Sequence, residues 1–345
     1  MNLHHNVSSS PMYRDISVLI ACFNAEDTVR YTIESILVQT LPPLEIVIVD
    51  DGSTDNSSGI VKEYGGQGVS LITSANFGAA AARNLAYQAS TGDYIVFLDA
   101  DDILGPRYLE AQRTKLTSTI RCLALSRWTR FISSVDEAIF PDRPTEFDMS
   151  GVDWLVTDWE FGAPMTQPGM FMIPRSLIDD YGGWHEELSL IDDFEFFARI
   201  ISRSDGVRFA PDARLYYRSG RKGSLSSRNS DEAVLSAFHS LMAGTSHLLE
   251  VENSQRTRRA CANLIKHFDY TYYPHHSELR RLACKRASEL GGASAIPFGP
   301  PRFHSLRRFT GWKIARRVQH LAERLGLNSA SRGAAHWTPT DPRAE

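Results

Sequence analysis

Three carboxylates stand within four positions at Asp99-Ala100-Asp101-Asp102, directly after the apolar run Tyr94-Ile95-Val96-Phe97-Leu98. A run of that length and composition reads as a buried strand, so the acids sit where the strand opens into a loop. Like charges so close repel unless a cation joins them. A hard divalent ion fits that need, with carboxylate oxygens on one side and a phosphorylated ligand completing the shell. The competing reading is a solvated acidic turn, because aspartate is common in turns.

The elements that position these acids follow from periodicity. Ile16-Ala21 reads as a strand, and Asp27-Thr40 as a helix with Val29, Ile33, Ile36 and Leu37 on one stripe, closed by Pro42-Pro43. Glu45-Val49 is a second strand leading into Asp50-Asp51-Gly52-Ser53. Ser53 is expected to cap a helix running to about Tyr64. Val69-Thr73, helix Ala79-Ala89 and strand Tyr94-Leu98 complete the alternation, with Gly65-Gly66-Gln67-Gly68 as a plain turn. Strands separated by helices predict an α/β fold with a mostly parallel sheet. Ligands of such sheets bind at the carboxyl ends of the strands, and here those ends carry Asn24, Asp50-Asp51, Asn76 and the three acids. Further on the pattern weakens. Cys122-Leu125 and Met170-Ile173 read as strands, Gly182-Gly183-Trp184 as a turn, and Ile191-Arg203 as a helix opening on Asp192-Asp193.

The chain has 345 residues, with 42% hydrophobic and 23% charged, as in ordinary globular proteins. A net charge of -4 argues against a nucleic-acid partner. The four scattered cysteines (Cys22, Cys122, Cys261, Cys284) suggest neither a zinc site nor a disulfide framework. No apolar span reaches membrane length and the polar start lacks a signal-peptide core, so a cytoplasmic protein is expected. The turn after the first strand, Ala21-Cys22-Phe23-Asn24-Ala25-Glu26-Asp27, has no glycine and two acids, which argues against a dinucleotide. No phosphate-cradling G-x-x-x-x-G-K-[ST] loop is present. No histidine occurs between His5 and His185, so a histidine-dependent nucleophile or histidine-held zinc is excluded there.

Six ordered motifs now stand together: Ile16-Asn24, Val49-Asp50-Asp51-Gly52-Ser53-Thr54-Asp55, Asn76-x-Gly78, Ala82-Arg83-Asn84, Gly92-Asp93-Tyr94 and Asp99-Ala100-Asp101-Asp102. In that order and spacing the chain resembles the family 2 glycosyltransferases of GT-A fold, strongly over about 15–110 and moderately to about 228. The resemblance implies a GT-A catalytic domain over 15–228, with a nucleotide-binding half (15–110) and an acceptor half (111–228). A helical, basic region (229–330) follows, and tails are expected at 1–14 and 331–345.

The resemblance also implies roles. Asp51 would accept a hydrogen bond from the base edge; its alternative is a β-turn aspartate. Asp101 and Asp99 would form the metal-binding pair for Mn2+ or Mg2+, with Asp99 near the ribose or a metal-bound water and Asp102 supporting them. Arg83 would reach the nucleotide or diphosphate, its alternative being a surface group on a helix; Asn76 would contact the base or simply accept a left-handed turn, and Phe23 would lie against the base or pack in the core. Where relatives often carry Pro-Thr-Tyr, this chain has Ala21-Cys22-Phe23. Asp193 matches the position of the general base that deprotonates the acceptor hydroxyl. Asp192 would hold the acceptor or tune its neighbour. Against both stands the plain reading of acids complementing a helix dipole. Trp184 either faces an acceptor sugar or fills the core. A histidine common after Arg218 is replaced by Ser219-Gly220-Arg221-Lys222-Gly223-Ser224, where Arg221 would neutralise the diphosphate.

The expected reaction is inverting, metal-dependent transfer of one sugar from a nucleotide-sugar, with UDP expected, to a saccharide or lipid-linked acceptor. Q-x-x-R-W, the signature of processive synthases, is missing. The alternatives are a polyprenyl-phosphate glycosyltransferase and a non-catalytic nucleotide-sugar-binding protein. From Ser254 to Leu327 fifteen Lys and Arg face four Asp and Glu. Within that segment Ile314, Val318, Leu321 and Leu325 form one helical stripe, placed either against a membrane or against protein.

Overall fold

The apolar runs of the first hundred residues become strands at the predicted places. The structure, a computed structural model, describes residues 15–116, 121–160, 162, 164–220 and 230–325. Among these, eight strands form one sheet: β1 (Ile16–Cys22), β2 (Glu45–Asp50), β3 (Val69–Thr73), β4 (Tyr94–Asp99), β5 (Ile103–Leu104), β6 (Cys122–Phe131), β7 (Phe171–Pro174) and β8 (Gly206–Arg218). Their spatial order is β3-β2-β1-β4-β7-β6-β8-β5. The first four pair in parallel. β7 joins β4 antiparallel, and the sheet is mixed from there on. β1 and β4 are buried along nearly their whole length, which is why they read as continuous apolar runs without alternation.

The helices are α1 (Val29–Leu37), α2 (Ser57–Lys62), α3 (Ala79–Ala89), α4 (Tyr108–Lys115), α5 (Gly151–Trp159), α6 (Arg175–Tyr181), α7 (Asp192–Ser202), α8 (Asp231–Val251), α9 (Gln255–Tyr272), α10 (Ser277–Glu289), α11 (Pro301–Thr310) and α12 (Trp312–Arg324). Helix α8 packs along α7, and α9 against α5 and α10. One hydrophobic cluster runs from β1 through Trp154, Phe197 and Phe238 to Ala287, so the C-terminal helices share the core of the sheet.

One expectation fails. Ser53 does not cap α2, which begins four residues later at Ser57 with Asn56 before it. Instead the Ser53 hydroxyl accepts the Asn24 N–H at 2.9 Å, and the Ser57 hydroxyl accepts that of Ala25 at 2.8 Å. A loop competing for the same hydroxyl removed the cap. The strand expected at Cys122-Leu125 extends to Phe131.

Candidate active site

The parallel register sets the tips of β1, β2 and β4 side by side. Cys22 pairs with Asp50 and Ala21 with Asp99, and the Asp51 N–H donates to the Cys22 carbonyl at 2.8 Å. Asp51 is buried. Its carboxylate accepts from the Ser74 hydroxyl (2.5 Å), the Phe77 N–H (2.9 Å) and the Gly78 N–H (2.7 Å). Three of about four acceptor positions are thereby used, and Asp51 fixes the loop between β3 and α3. Asn76 lies in that loop with left-handed backbone (φ 59°). Phe23 and Phe77 are 44% and 72% exposed around the same rim, so neither ring belongs to the core. Ala21 is half-buried.

Arg83 is the hub. It sits on α3, 6% exposed, and its two Nη atoms each donate at 2.9 Å, one to Asp99 and one to Asp192. The guanidinium lies 4.4 Å from the Trp184 ring centroid. Burial alone would lower its pKa, but Asp192 and Asp99 more than offset that and push it up. These bonds use two of the five guanidinium N–H donors, and Nε has no partner.

Trp184 is core. It stacks on Phe196 at 4.2 Å and meets Phe97 edge-on at 5.2 Å. The turn carrying it is gripped from two sides. Asn84 exchanges hydrogen bonds of 2.8 Å with the Trp184 N–H and carbonyl, and Arg199 donates to the carbonyls of Tyr181, Gly182 and Gly183. Gly183 has no room for a side chain: a Cβ there would lie 2.5 Å from Asn84 Oδ1. Arg199 is held in turn by the fully buried Glu195 at 2.8 and 3.0 Å. Burial raises the Glu195 pKa, but hydrogen bonds from His247 and Arg199 overcome it and bring it down to about 2.

Asp192 and Asp193 open α7. The preceding Ile191 has φ 51°, a strained conformation for a β-branched residue. Helix α8 holds it there: Ser240 donates to the Ile191 carbonyl at 2.6 Å, and the Ser236 hydroxyl accepts the N–H groups of Ser189 and Leu190. Asp193 is poorly solvated. Burial first, then the charge of Asp192, raises its pKa to about 8 against the pull of Arg83. That value suits a proton acceptor working near neutral pH.

Asp102 is fully buried, with Oδ1 accepting the Arg218 N–H at 2.9 Å and Oδ2 unpartnered. Its pKa is pushed well up by burial and then by Asp101 and Asp99. Arg218 also donates through Nε to the Asp101 carbonyl at 3.0 Å. No group of three His, Cys, Asp or Glu side chains among the described residues could hold a metal alone. The donor set still suits a hard cation: Asp101 and Asp99 offer carboxylate oxygens beside the unpartnered oxygen of Asp102, with phosphate oxygens to complete the shell.

The structure thus brings Asp99, Asp192, Arg83, Asp193 and the acidic turn together. Arg221 lies outside the described residues. Sequence reading assigned no role to Tyr217 or Arg218. Burial, followed by the charges of Asp99, Asp102 and Asp193, keeps the Tyr217 hydroxyl protonated beside those acids. The available signal was Tyr216-Tyr217-Arg218 directly ahead of the basic loop.

Comparison with known proteins agrees with this geometry. Residues 17–182 match the family model described as Glycosyl transferase family 2. Over 101 residues the chain is 45% identical to the uncharacterized glycosyltransferase YibD of Escherichia coli (strain K12), covering 29% of each protein. Over 89 residues it is 43% identical to UDP-Glc:alpha-D-GlcNAc-diphosphoundecaprenol beta-1,3-glucosyltransferase WfaP of Escherichia coli, covering 25% of this chain and 35% of that one. The matched segments therefore span about a third of these relatives' length. The fold is similar to S. aureus TarS 1-349 solved with UDP-GlcNAc: TM-score 0.66 and 16% identity over 90% of this chain and 92% of that one. The GT-A expectation for the fold is borne out.

Proposed function

We propose that this protein, whose residues 17–182 match the family 2 glycosyltransferase model, transfers one sugar, with inversion, from a UDP-sugar to a lipid-linked saccharide acceptor. The observation that carries this reading is the Asp99–Arg83–Asp192 bridge, which couples the nucleotide side of the sheet to the carboxylate pair at α7. The donor and acceptor classes follow WfaP, whose name gives UDP-glucose and a diphosphoundecaprenol-linked sugar. A nucleotide-sugar donor places the reaction in the cytoplasm in this reading, and saccharide assembly for cell-surface polysaccharide is its natural setting.

Asp193 takes the proton of the acceptor hydroxyl as its oxygen attacks the anomeric carbon. The bond from that carbon to the phosphate oxygen breaks, and its electron pair leaves with UDP. Asp192, anchored by Arg83, keeps its neighbour oriented and raises its basicity. Asp101 and Asp99, with Asp102 behind them, would hold Mn2+ or Mg2+, which supplies charge neutralisation for the departing diphosphate. Asp51 presents its remaining lone pair to the base edge, with Asn76 and Phe23 on the same rim.

The test is a transfer assay with a panel of UDP-sugars, a diphospholipid-linked sugar and either metal ion. Asp193→Asn is expected to lower kcat by about 10²–10⁴-fold with donor KM little changed. Unchanged turnover in that variant would remove Asp193 as the base. A lipid monophosphate accepted in place of the diphospholipid would favour the polyprenyl-phosphate alternative.

A further inference from the structure

Helix α12 carries its apolar stripe on the face away from the protein. The opposite, largely polar face is the one that docks. Trp312 packs between Tyr270 and Tyr273 at 4.8 and 5.1 Å, and Ala315 is buried. Arg316 donates to the Phe298 carbonyl at 2.7 Å and covers the Phe303 ring at 4.6 Å, and His320 reaches the Tyr273 carbonyl at 3.3 Å. Outward stand Ile314, Val318, Leu321 and Leu325, each about half exposed or more, with Phe309 of α11 at 88%. Water gains nothing from such an arrangement, and a helix resting on its own protein would bury that stripe.

The surrounding charge identifies the occupant. From Pro301 to Leu325 the sequence has seven Lys and Arg against one acid, Glu323. Lys313 and Arg317 flank the stripe and are exposed. A second copy would bring the same positive charge to the contact. An anionic bilayer brings the opposite charge together with an apolar boundary for the stripe.

We propose that the α11–α12 surface seats the protein on an anionic membrane, α12 lying in the interface with Ile314, Val318, Leu321 and Leu325 toward the acyl boundary. No described helix is long and apolar enough to cross a membrane, so the attachment is peripheral. It agrees with a lipid-linked acceptor, yet binding is read without turnover, so either reading can fail alone.

The experiment is flotation of the full chain with vesicles of phosphatidylcholine alone, or of phosphatidylcholine with phosphatidylglycerol. Binding to the anionic vesicles only, weakened by salt, is expected. Lys313→Gln with Arg317→Gln should lower partitioning about 25-fold, at about fivefold for each basic side chain. Ile314→Gln with Leu321→Gln should abolish it while the melting temperature stays unchanged, because these positions are exposed. No flotation of the wild-type chain, or flotation indifferent to both pairs of substitutions, overturns the proposal. So does a dimer in light scattering that the apolar pair converts to monomer, which would make this face a contact between copies.

Discussion

Replacing Arg83 by methionine isolates the element on which the site depends. The substitution keeps an apolar stem of similar length over Trp184 and deletes two ion pairs of 2.9 Å. Removing one partner of a buried pair costs about 3–5 kcal/mol, because the other charge is left without compensation. Side-chain exposures of 29% for Asp99 and 17% for Asp192 let water recover part of that. The lost stacking on Trp184 adds about 1 kcal/mol. A destabilisation of about 3–4 kcal/mol at pH 7.5 is expected from urea unfolding. Adding Asp99→Asn and Asp192→Asn to Arg83→Met should restore part of the loss, a coupling of about 1–3 kcal/mol. A loss under about 1 kcal/mol, or no recovery when both aspartates are also replaced, would refute the view of Arg83 as an electrostatic hub.

Other perturbations read neighbouring parts. Glu195→Gln should flatten the acid side of the stability profile. The folded pKa of about 2 lies below the unfolded value, so that contribution, about 3 kcal/mol at most, exists above the unfolded pKa and is lost as pH falls toward 2. Urea midpoints from pH 6 down to 3.5 measure it. Gly183→Ala forces a Cβ to 2.5 Å from Asn84 Oδ1 and should cost about 1–3 kcal/mol, visible as a lower melting temperature. Ile191→Gly relieves a left-handed β-branched residue; the melting temperature should hold or rise while kcat falls, because Asp192 and Asp193 lose their fixed approach. With Asp193 at about 8, kcat/KM should fall tenfold per pH unit below that value as the base becomes protonated, and a flat profile there would exclude it.

The nucleotide half was legible because β1, β2 and β4 are buried on both faces and its helices are short and striped. β3 and α3 begin and end where the residues predicted. Past Leu109 the signal weakened for physical reasons. α5 is buried at Trp154, Leu155 and Trp159, with aromatics that read as strand or helix alike. β8 turns away at Pro211 and re-pairs after it. The burial of Arg83 between two acids was not legible, since its partner Asp192 lies 109 residues ahead and no local pattern reports so distant a contact. Strain at Ile191 was equally hidden, being imposed by serines on α8.

The seating of β7 against β4 has a consequence for how this protein is divided. A fragment ending near residue 110 would hold every nucleotide motif yet expose the flank of β4 that Ile173 and Pro174 cover. Bare ladder groups beside Tyr94 and Ile95 invite intermolecular strand addition. Such a piece should precipitate on expression, and swaps between relatives should be cut beyond α7, where the chain has already closed that flank and supplied Asp192 to Arg83.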